Sequence, residues 1–176
     1  MRQDGTGFKN EGDCVSYAAH GGKLLSCAGS ENFSEFPEFS TPSTFSGGTI
    51  DTAYGVTGGV LVQGSFFNGG FPDGTHVLFS GFVRSSFQLG FANPTGFLQL
   101  EGQDNVDLDP STITLTAYDA SSTVIGMDQF VDSGPDVAAL SVQSSSNNIK
   151  YFTVSTSDPR PNPEGVFFTN IAWRCA

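Results

Sequence analysis

Apolar and polar side chains alternate with a period of two from about residue 50 onward. One run places three apolar side chains between threonines: Ile113, Leu115 and Ala117. Turn residues such as Pro72-Asp73-Gly74 and Asn93-Pro94 separate the runs. Because successive side chains of a strand point to opposite faces, the pattern indicates strands with one buried face. About eight to ten such strands at near-regular spacing predict an all-β fold, an antiparallel β-sandwich or barrel.

A chain of 176 residues is long enough for one domain with a sizeable core. Its 17 phenylalanines supply core area that a hydrophobic share of 38% would not otherwise provide. Near the start, Asp13 is a candidate N-cap and Gly21-Gly22 a stop, which predicts one short N-terminal helix. The expected division is residues 1–32, a segment with that helix, and residues 33–176, the β-sandwich domain.

Phenylalanines recur in the segment that precedes the main strands: Phe33, Phe36, Phe39 and Phe45. A disordered linker rarely carries so many aromatic side chains. We expect an extended segment that lies on the domain surface, with room in it for an edge strand.

The charge is strongly acidic, with 18 acidic against 7 basic residues and a formal net charge of −11. No Lys or Arg occurs between Arg84 and Lys150. Nucleic acid is excluded as a partner, because binding phosphates needs a basic surface. No apolar run is long enough to span a membrane. The acidity fits either solubility in a saline or extracellular setting or a cation site.

Three cysteines are present, Cys14, Cys27 and Cys175. We expect Cys27 to pair with Cys175, because the first and last strands of a strand-rich domain often lie side by side. Cys14–Cys27 is the alternative. Either disulfide implies an oxidising compartment. The opening residues lack the apolar core of a signal peptide, so we expect Met1 to begin a fragment rather than a secreted precursor.

Several phrases in order resemble one type of domain: "IDTAYGVTGGV", "HVLFSGF", "STITLTAYDASSTVIG" and "GVFFTNIAWRC". The likeness covers about residues 33–175 and is to a jelly-roll domain of secreted or surface-anchored bacterial proteins, related to the galactose-binding-like β-sandwiches. It implies a jelly-roll β-sandwich and an extracellular or cell-surface location. The last strand departs from the pattern, since Thr169 stands where the type has an aspartate. That acid can help to hold a structural calcium, so its loss speaks against an equivalent site.

Catalysis is not predicted. The only histidines are His20 and His76, and no Gly-x-Ser-x-Gly elbow accompanies them. A glycosidase would need two carboxylates across a cleft, for which Glu101 and Glu164 are candidates. The sequence therefore predicts no catalytic residue, while a glycan-active enzyme is not excluded.

Calcium is the cofactor that the acidic loop before residue 111 would hold. Asp104, Asp107 and Asp109 supply carboxylates within one short stretch, and calcium prefers several oxygen ligands from a flexible loop. Two other interpretations stay open: an ordinary turn at Asp109-Pro110, or an acidic strand face turned to solvent. Asp104, Asp107 and Asp109 are the candidate metal ligands.

Aromatic side chains in and near a glycine-rich loop are the candidate ligand contacts: Tyr54, Phe66, Phe67 and Phe71. Exposed, they would form an apolar patch of the kind that marks a binding surface. Buried, they would plug one end of the sandwich. Trp173 belongs to the inward set of the last strand, and we expect it in the core.

The sequence supports two functional hypotheses. The first is a non-catalytic extracellular module that binds a glycan or surface polymer, with calcium as its stabilising ion. The alternative is a structural subunit of a fibre, surface layer or appendage whose residues 1–45 dock on a neighbouring copy. Whether residues 1–45 pack on their own domain discriminates between the two.

Overall fold

The computed structural model describes residues 9, 16–17, 19–21, 28–55, 58–65, 70–82, 84–104, 111–132, 136–157 and 165–176. These residues form twelve strands. The strands are β1 Gly29–Glu31, β2 Thr44–Phe45, β3 Gly48–Ile50, β4 Gly59–Val62, β5 His76–Phe79, β6 Ser86–Thr95, β7 Phe97–Asp104, β8 Ser111–Tyr118, β9 Val124–Asp132, β10 Ala138–Gln143, β11 Ile149–Thr156 and β12 Val166–Arg174.

The strands form two six-stranded sheets. The first sheet has the order β10-β7-β12-β5-β4, with β1 paired to β12, and the second has the order β2-β3-β6-β11-β8-β9. Every described pairing is antiparallel. The predicted all-β antiparallel sandwich is confirmed.

The main core lies between the two sheets and follows the alternation of the sequence. Ile113, Leu115 and Ala117 of β8 are fully buried, as predicted, while the threonines between them are partly exposed. Strand β8 is an interior strand between β11 and β9. Trp173 is 8% exposed and belongs to the same core, also as predicted.

The aromatic segment that precedes β3 includes the predicted edge strand, β2, and places two of its four phenylalanines in the main core. Phe33 is fully buried and Phe45 is 6% exposed, both within the main core. The Phe45 ring contacts Trp173 edge-on, with centroids 5.6 Å apart. Only Phe39 remains largely exposed, at 58%. The segment enters the core because the large rings complete the packing between the sheets.

A second, smaller cluster covers part of the outer face of the first sheet. It consists of Leu61, Phe71, Val77, Phe79 and Phe167. Phe79 and Phe167 stack with centroids 4.2 Å apart. These strand residues alternate with residues of the main core, so they point away from it. The first sheet therefore buries side chains on both faces.

The predicted N-terminal helix falls mostly outside the described residues, and no helix is among the elements of the described part of the chain. The predicted boundary between residues 32 and 33 stays a prediction, although β1 lies on its N-terminal side and joins the first sheet. In the described part of the chain, no helix is both long and apolar enough to cross a membrane.

Candidate functional site

The outer face of the second sheet carries a pair of stacked tyrosines. Tyr118 in β8 lies opposite Tyr151 in β11, and their ring centroids are 4.7 Å apart at an interplanar angle of 8°. On the other side of β11, Tyr151 lies opposite Gly90 of β6, which has no side chain to cover the ring. Both tyrosines are partly exposed. The two rings form the aromatic centre of this face.

Hydroxyl and amide side chains continue the face along the neighbouring positions. The next cross-strand row joins Thr116, Thr153 and Gln88. Farther along, Gln129 of β9 donates from Nε2 to Thr114 Oγ1 at 3.1 Å. We call this surface the Tyr118–Tyr151 face. Its side chains come from β6, β8 and β11 and are Ser86, Gln88, Thr112, Thr114, Thr116, Tyr118, Tyr151, Thr153 and Ser155.

None of these outward side chains is charged, although the formal net charge of the chain is −11. Lys150 lies at the irregularity of β11, where its ammonium donates to the carbonyl oxygens of Phe91 at 2.6 Å and Ala92 at 3.1 Å. At the margin, Asp51 follows β3 and forms an ion pair with Arg84. The Tyr118–Tyr151 face is thus an uncharged surface on an acidic protein.

This arrangement offers two kinds of interaction. Tyrosine and threonine hydroxyls and the Gln88 amide can each donate and accept hydrogen bonds. The tyrosine rings add flat apolar area that loses little conformational freedom on binding. Such a surface can bind an uncharged ligand that is rich in hydroxyl groups.

A polar cleft of about 590 Å³ lies at the other sheet, where β1 pairs with β12. Its lining residues are Ser30, Glu31, Asn32, Ser34, Glu35, Ser46, Asn170 and Ala172. We call it the β1–β12 cleft. Neither a basic nor an aromatic side chain is among these lining residues. The cleft is therefore acidic and hydrophilic, unlike the Tyr118–Tyr151 face.

Backbone irregularities shape the cleft. The pairing of β12 with β7 shifts register between Thr169 and Ala172, which marks a bulge. Asn170, within the bulge, has a φ of +50°, and Phe33, beside the cleft, has a φ of +59°. Side chains other than glycine rarely adopt this region, and asparagine tolerates it better than phenylalanine. Fully buried Phe33 holds its conformation because its ring is packed in the core.

Hydrogen bonds fix the loop that forms one wall of the cleft. The Glu31 carboxylate accepts from the N–H of Phe33 at 2.8 Å and from the N–H of Ser46 at 3.0 Å. Thr169 is fully buried and donates to the Asn32 carbonyl oxygen at 3.4 Å. The wall is therefore tied both to β12 and to the turn after β2.

The other polar side chains of the cleft use only some of their hydrogen-bond donors and acceptors within the protein. Asn32 Oδ1 accepts from the N–H of Ser34 at 3.1 Å, and Asn170 Nδ2 donates to Glu101 Oε2 at 2.7 Å. The Asn32 Nδ2 donors and the Glu35 carboxylate make no hydrogen bond within the described part of the chain. These groups remain available to a ligand.

Of the predicted aromatic ligand contacts, the structure describes Tyr54 and Phe71, and neither is fully exposed. Phe71 is 4% exposed in the smaller cluster, which matches the alternative that it plugs the sandwich. Tyr54 packs on Phe87 with centroids 5.0 Å apart, and its hydroxyl donates to the Pro42 carbonyl at 2.6 Å. Burial raises the pKa of Tyr54 above its ordinary range, and the nearby carboxylate of Asp51 adds to the rise.

Phe66 and Phe67, the other two predicted aromatic contacts, lie outside the described residues. The same is true of Glu164, the second carboxylate of the possible glycosidase pair.

Asp104 is the only predicted metal ligand that the structure describes, because Asp107 and Asp109 lie outside the described residues. Asp104 is 2% exposed at the end of β7 and accepts a hydrogen bond from the Ser111 hydroxyl. No cluster of three metal-ligating His, Cys, Asp or Glu side chains occurs within the described ranges. The calcium site therefore stays a prediction.

Cys175 takes part in a disulfide. The two other cysteines of the chain, Cys14 and Cys27, lie outside the described residues, so the predicted pairing of Cys27 with Cys175 stays a prediction.

Known structures share the fold at low sequence identity. The K2 cleaved adhesin domain of Lys-gingipain is 12% identical with a TM-score of 0.56, and the match covers 83% of this chain and 98% of that domain. No protein-family model and no curated protein matches the sequence. The match to the adhesin domain agrees with the predicted antiparallel β-sandwich fold.

Two carbohydrate-binding modules match with lower scores. The xylan-binding domain of Xyn10C from Paenibacillus barcinonensis is 13% identical with a TM-score of 0.47, covering 88% of this chain and 99% of that one. A module from Clostridium stercorarium in complex with cellobiose is 13% identical with a TM-score of 0.42, covering 72% and 88%. At these scores the two modules do not bear on what this chain binds.

Proposed function

We propose that this protein is a non-catalytic, extracellular or surface-exposed module that binds a neutral glycan on the Tyr118–Tyr151 face. One observation carries the proposal: paired tyrosines with hydroxyl and amide neighbours form an uncharged face on a protein of net charge −11. Exposed aromatic area beside a few oriented polar groups is the usual composition of a small-molecule site.

The charge distribution favours a neutral ligand over a charged one. A polyanionic glycan would be repelled by the acidic protein as a whole, because no basic side chain on the face attracts it. A polycation would be drawn to the carboxylates elsewhere rather than to this face. Uncharged sugar hydroxyls, in contrast, can exchange hydrogen bonds with Thr116, Thr153 and Gln88 without desolvating an ion.

Binding without catalysis is what this face supports. Hydrolysis of a glycosidic bond ordinarily needs two carboxyl groups on either side of the bond. The outward side chains of β6, β8 and β11 that form the face include no carboxylate. A hydrolytic role would therefore need acids from outside the face.

Affinity electrophoresis tests the proposal. Native gels that contain a neutral polysaccharide, such as xylan, β-glucan or β-1,4-galactan, should retard the wild-type protein, whereas gels with an anionic polysaccharide should not. Tyr151→Ala removes one ring of the pair, and we expect affinity to fall about tenfold or more, the loss of a central aromatic contact. Phe39→Ala, which removes an exposed aromatic ring away from the face, is the matched control and should migrate like the wild type. Equal retardation of Tyr151→Ala and the wild type would disprove the assignment of the face.

We further propose that calcium stabilises the end of the sandwich at Asp104, with Asp107 and Asp109 as additional ligands. The position of Asp104 at the end of β7, a few residues before Asp107 and Asp109 in the chain, supports this proposal, because calcium prefers several oxygen ligands from one short stretch. The Ser111 hydroxyl, which bonds to Asp104, could add a neutral oxygen ligand.

The alternative function, a self-assembling structural subunit, required the N-terminal segment to dock on a neighbouring copy. Residues 28–45 instead pack on their own chain, with β1 paired to β12 and Phe33 and Phe45 in the core. This packing supports the monomeric module.

A further inference from the structure

We propose that the β1–β12 cleft is a second saccharide site, separate from the Tyr118–Tyr151 face, which holds one or two sugar units through hydrogen bonds alone. The proposal rests on the proposed function for the class of ligand but not for the location. The cleft belongs to the first sheet, whereas the face belongs to the second.

The size of the cleft suits a small ligand rather than a bare ion. Its volume of about 590 Å³ lies inside the range of roughly 300–1,000 Å³ typical of small-molecule sites. A single cation would leave most of that space to water. A saccharide of one or two units would place several hydroxyl groups against the walls.

Hydrogen bonds within the chain hold the walls of the cleft in the absence of a ligand. The Glu31 carboxylate accepts hydrogen bonds from the N–H groups of Phe33 and Ser46, and the Thr169 hydroxyl donates to the Asn32 carbonyl oxygen. Binding therefore does not have to order this loop, and preorganisation of this kind favours affinity. The bulge in β12 also fixes a side chain of the cleft, because Asn170 lines the cleft and is held by its hydrogen bond to Glu101. Bulges and unfavourable φ angles concentrate at functional sites.

The unused groups of the cleft match a hydroxyl-rich ligand. Asn32 Nδ2 supplies donors, and the Glu35 carboxylate supplies acceptors. The Asn170 side-chain oxygen and the Ser30 hydroxyl lie in the same lining. A sugar hydroxyl both donates and accepts, so it can use these mixed groups together. An anionic ligand is excluded, because Glu31 and Glu35 line the cleft and no Lys or Arg does.

Side-chain amide signals in a ¹H–¹⁵N spectrum test the proposal directly. The probes are cellobiose, β-1,4-galactotriose and xylohexaose, each added to the full chain, with calcium chloride alone as a separate addition. We expect at least one sugar to shift the side-chain amide signals of Asn32 and Asn170, both in the wild type and in Tyr151→Ala. The side-chain amide of Asn148, which lies off the cleft, should stay in place.

Two variants remove ligand groups while they keep the backbone. Asn32→Asp retains an oxygen for the N–H of Ser34 but removes the amide donors, and we expect cleft binding to weaken about tenfold. Asn170→Gly removes the side chain at a φ that glycine adopts freely, and a similar loss is expected. Asn148→Asp makes the same chemical change elsewhere and should bind like the wild type.

The outcomes separate the two sites. If the rings of Tyr118 and Tyr151 respond to sugar while the cleft amides do not, and Asn32→Asp binds normally, the cleft proposal is overturned and the proposed function stands. A response of the cleft alone would support the cleft and overturn the face. Calcium shifts without sugar shifts would make the cleft a cation site and reject the proposal. No response to any probe would reject both sites.

Discussion

Tyr54 shows how burial and a single hydrogen bond act together on one side chain. Its ring packs on Phe87, and its hydroxyl donates to the Pro42 carbonyl at 2.6 Å. Burial favours the neutral phenol, and the charge of Asp51 acts in the same direction, so the pKa of Tyr54 is raised. Tyr54 therefore contributes to stability through the packing of its ring and the hydrogen bond of its hydroxyl.

Replacing Tyr54 by Phe should cost about 0.5–1.5 kcal/mol of unfolding free energy, because the ring stays and the hydrogen bond is lost. Since the pKa of Tyr54 is raised on folding, its contribution is complete below the unfolded value of about 10 and declines as the pH rises above it. Urea unfolding at pH 7 and at pH 10.5 measures both effects. Equal stability of wild type and Tyr54→Phe at pH 7 would show that the Pro42 contact contributes nothing.

Single residues explain why the candidate site was only partly predictable from the sequence. Phe71 follows Gly70 and Tyr54 precedes Gly55, a context that suits exposed contacts as well as buried ones, and only the packing of the folded chain shows where each ring lies. Tyr118 and Tyr151 were missed because each occupies an ordinary outward position of an alternating strand. Only the pairing of β8 with β11 brings the two tyrosines together, and the sequence of one strand does not predict that register.

At the level of the elements, the alternation predicted the long strands well. It failed before residue 50, where β1, β2 and β3 are two or three residues long and too short to show a period. The phenylalanines of that region predicted a segment on the domain surface. The sequence does not show whether such a ring packs over the outside of the domain or between the two sheets. The bulge of β12 and the cleft beside it were also not predictable from the sequence, since both depend on the pairing of β12 with β1 and β7.

Strand pairing leads to a prediction for the disulfide. β1 and β12 pair with Gly29 opposite Trp173 and Glu31 opposite Ile171. If this antiparallel register continues for two residues, position 27 falls opposite position 175, at a separation that suits a disulfide. We therefore expect a Cys27–Cys175 bond. Closing so long a loop contributes on the order of 4–5 kcal/mol in the chain-entropy model.

Non-reducing peptide mapping identifies the partner of Cys175. A linked pair of peptides that carry Cys27 and Cys175 is the expected product, with Cys14 recovered as a free thiol or joined to another molecule. Recovery of Cys14 linked to Cys175 would contradict the register argument.

The acidic end of β7 leads to a prediction for calcium. If an ion is bound there, millimolar calcium should raise the melting temperature relative to EDTA, and at about 100 times its dissociation constant the ion would add about 2.7 kcal/mol. Asp104→Asn should abolish the difference while it keeps an oxygen for the Ser111 hydroxyl. Superimposed melting curves of the wild type in EDTA and in calcium would reject the ion and leave the aspartates as the polar start of β8.

The whole molecule combines a strongly acidic surface with one uncharged sheet face. A net charge of −11 keeps copies of the protein apart and repels polyanions, while the Tyr118–Tyr151 face has no charge through which to bind. Affinity for a neutral glycan should consequently change little between low and high salt, because screening acts on interactions between charges. The first sheet buries its outer face in part, whereas the outer face of the second sheet carries the partly exposed tyrosine pair.

Tyrosine-selective ¹³C labelling tests the central claim most directly, because the chain has only four tyrosines. The ring signals of Tyr118 and Tyr151 report on the face, and that of Tyr54, packed on Phe87, is the internal control. We predict that titration with a neutral oligosaccharide shifts the signals of Tyr118 and Tyr151 in parallel with binding and leaves that of Tyr54 in place. Saturation of binding with no change at Tyr118 or Tyr151 would contradict the claim that this face binds glycan.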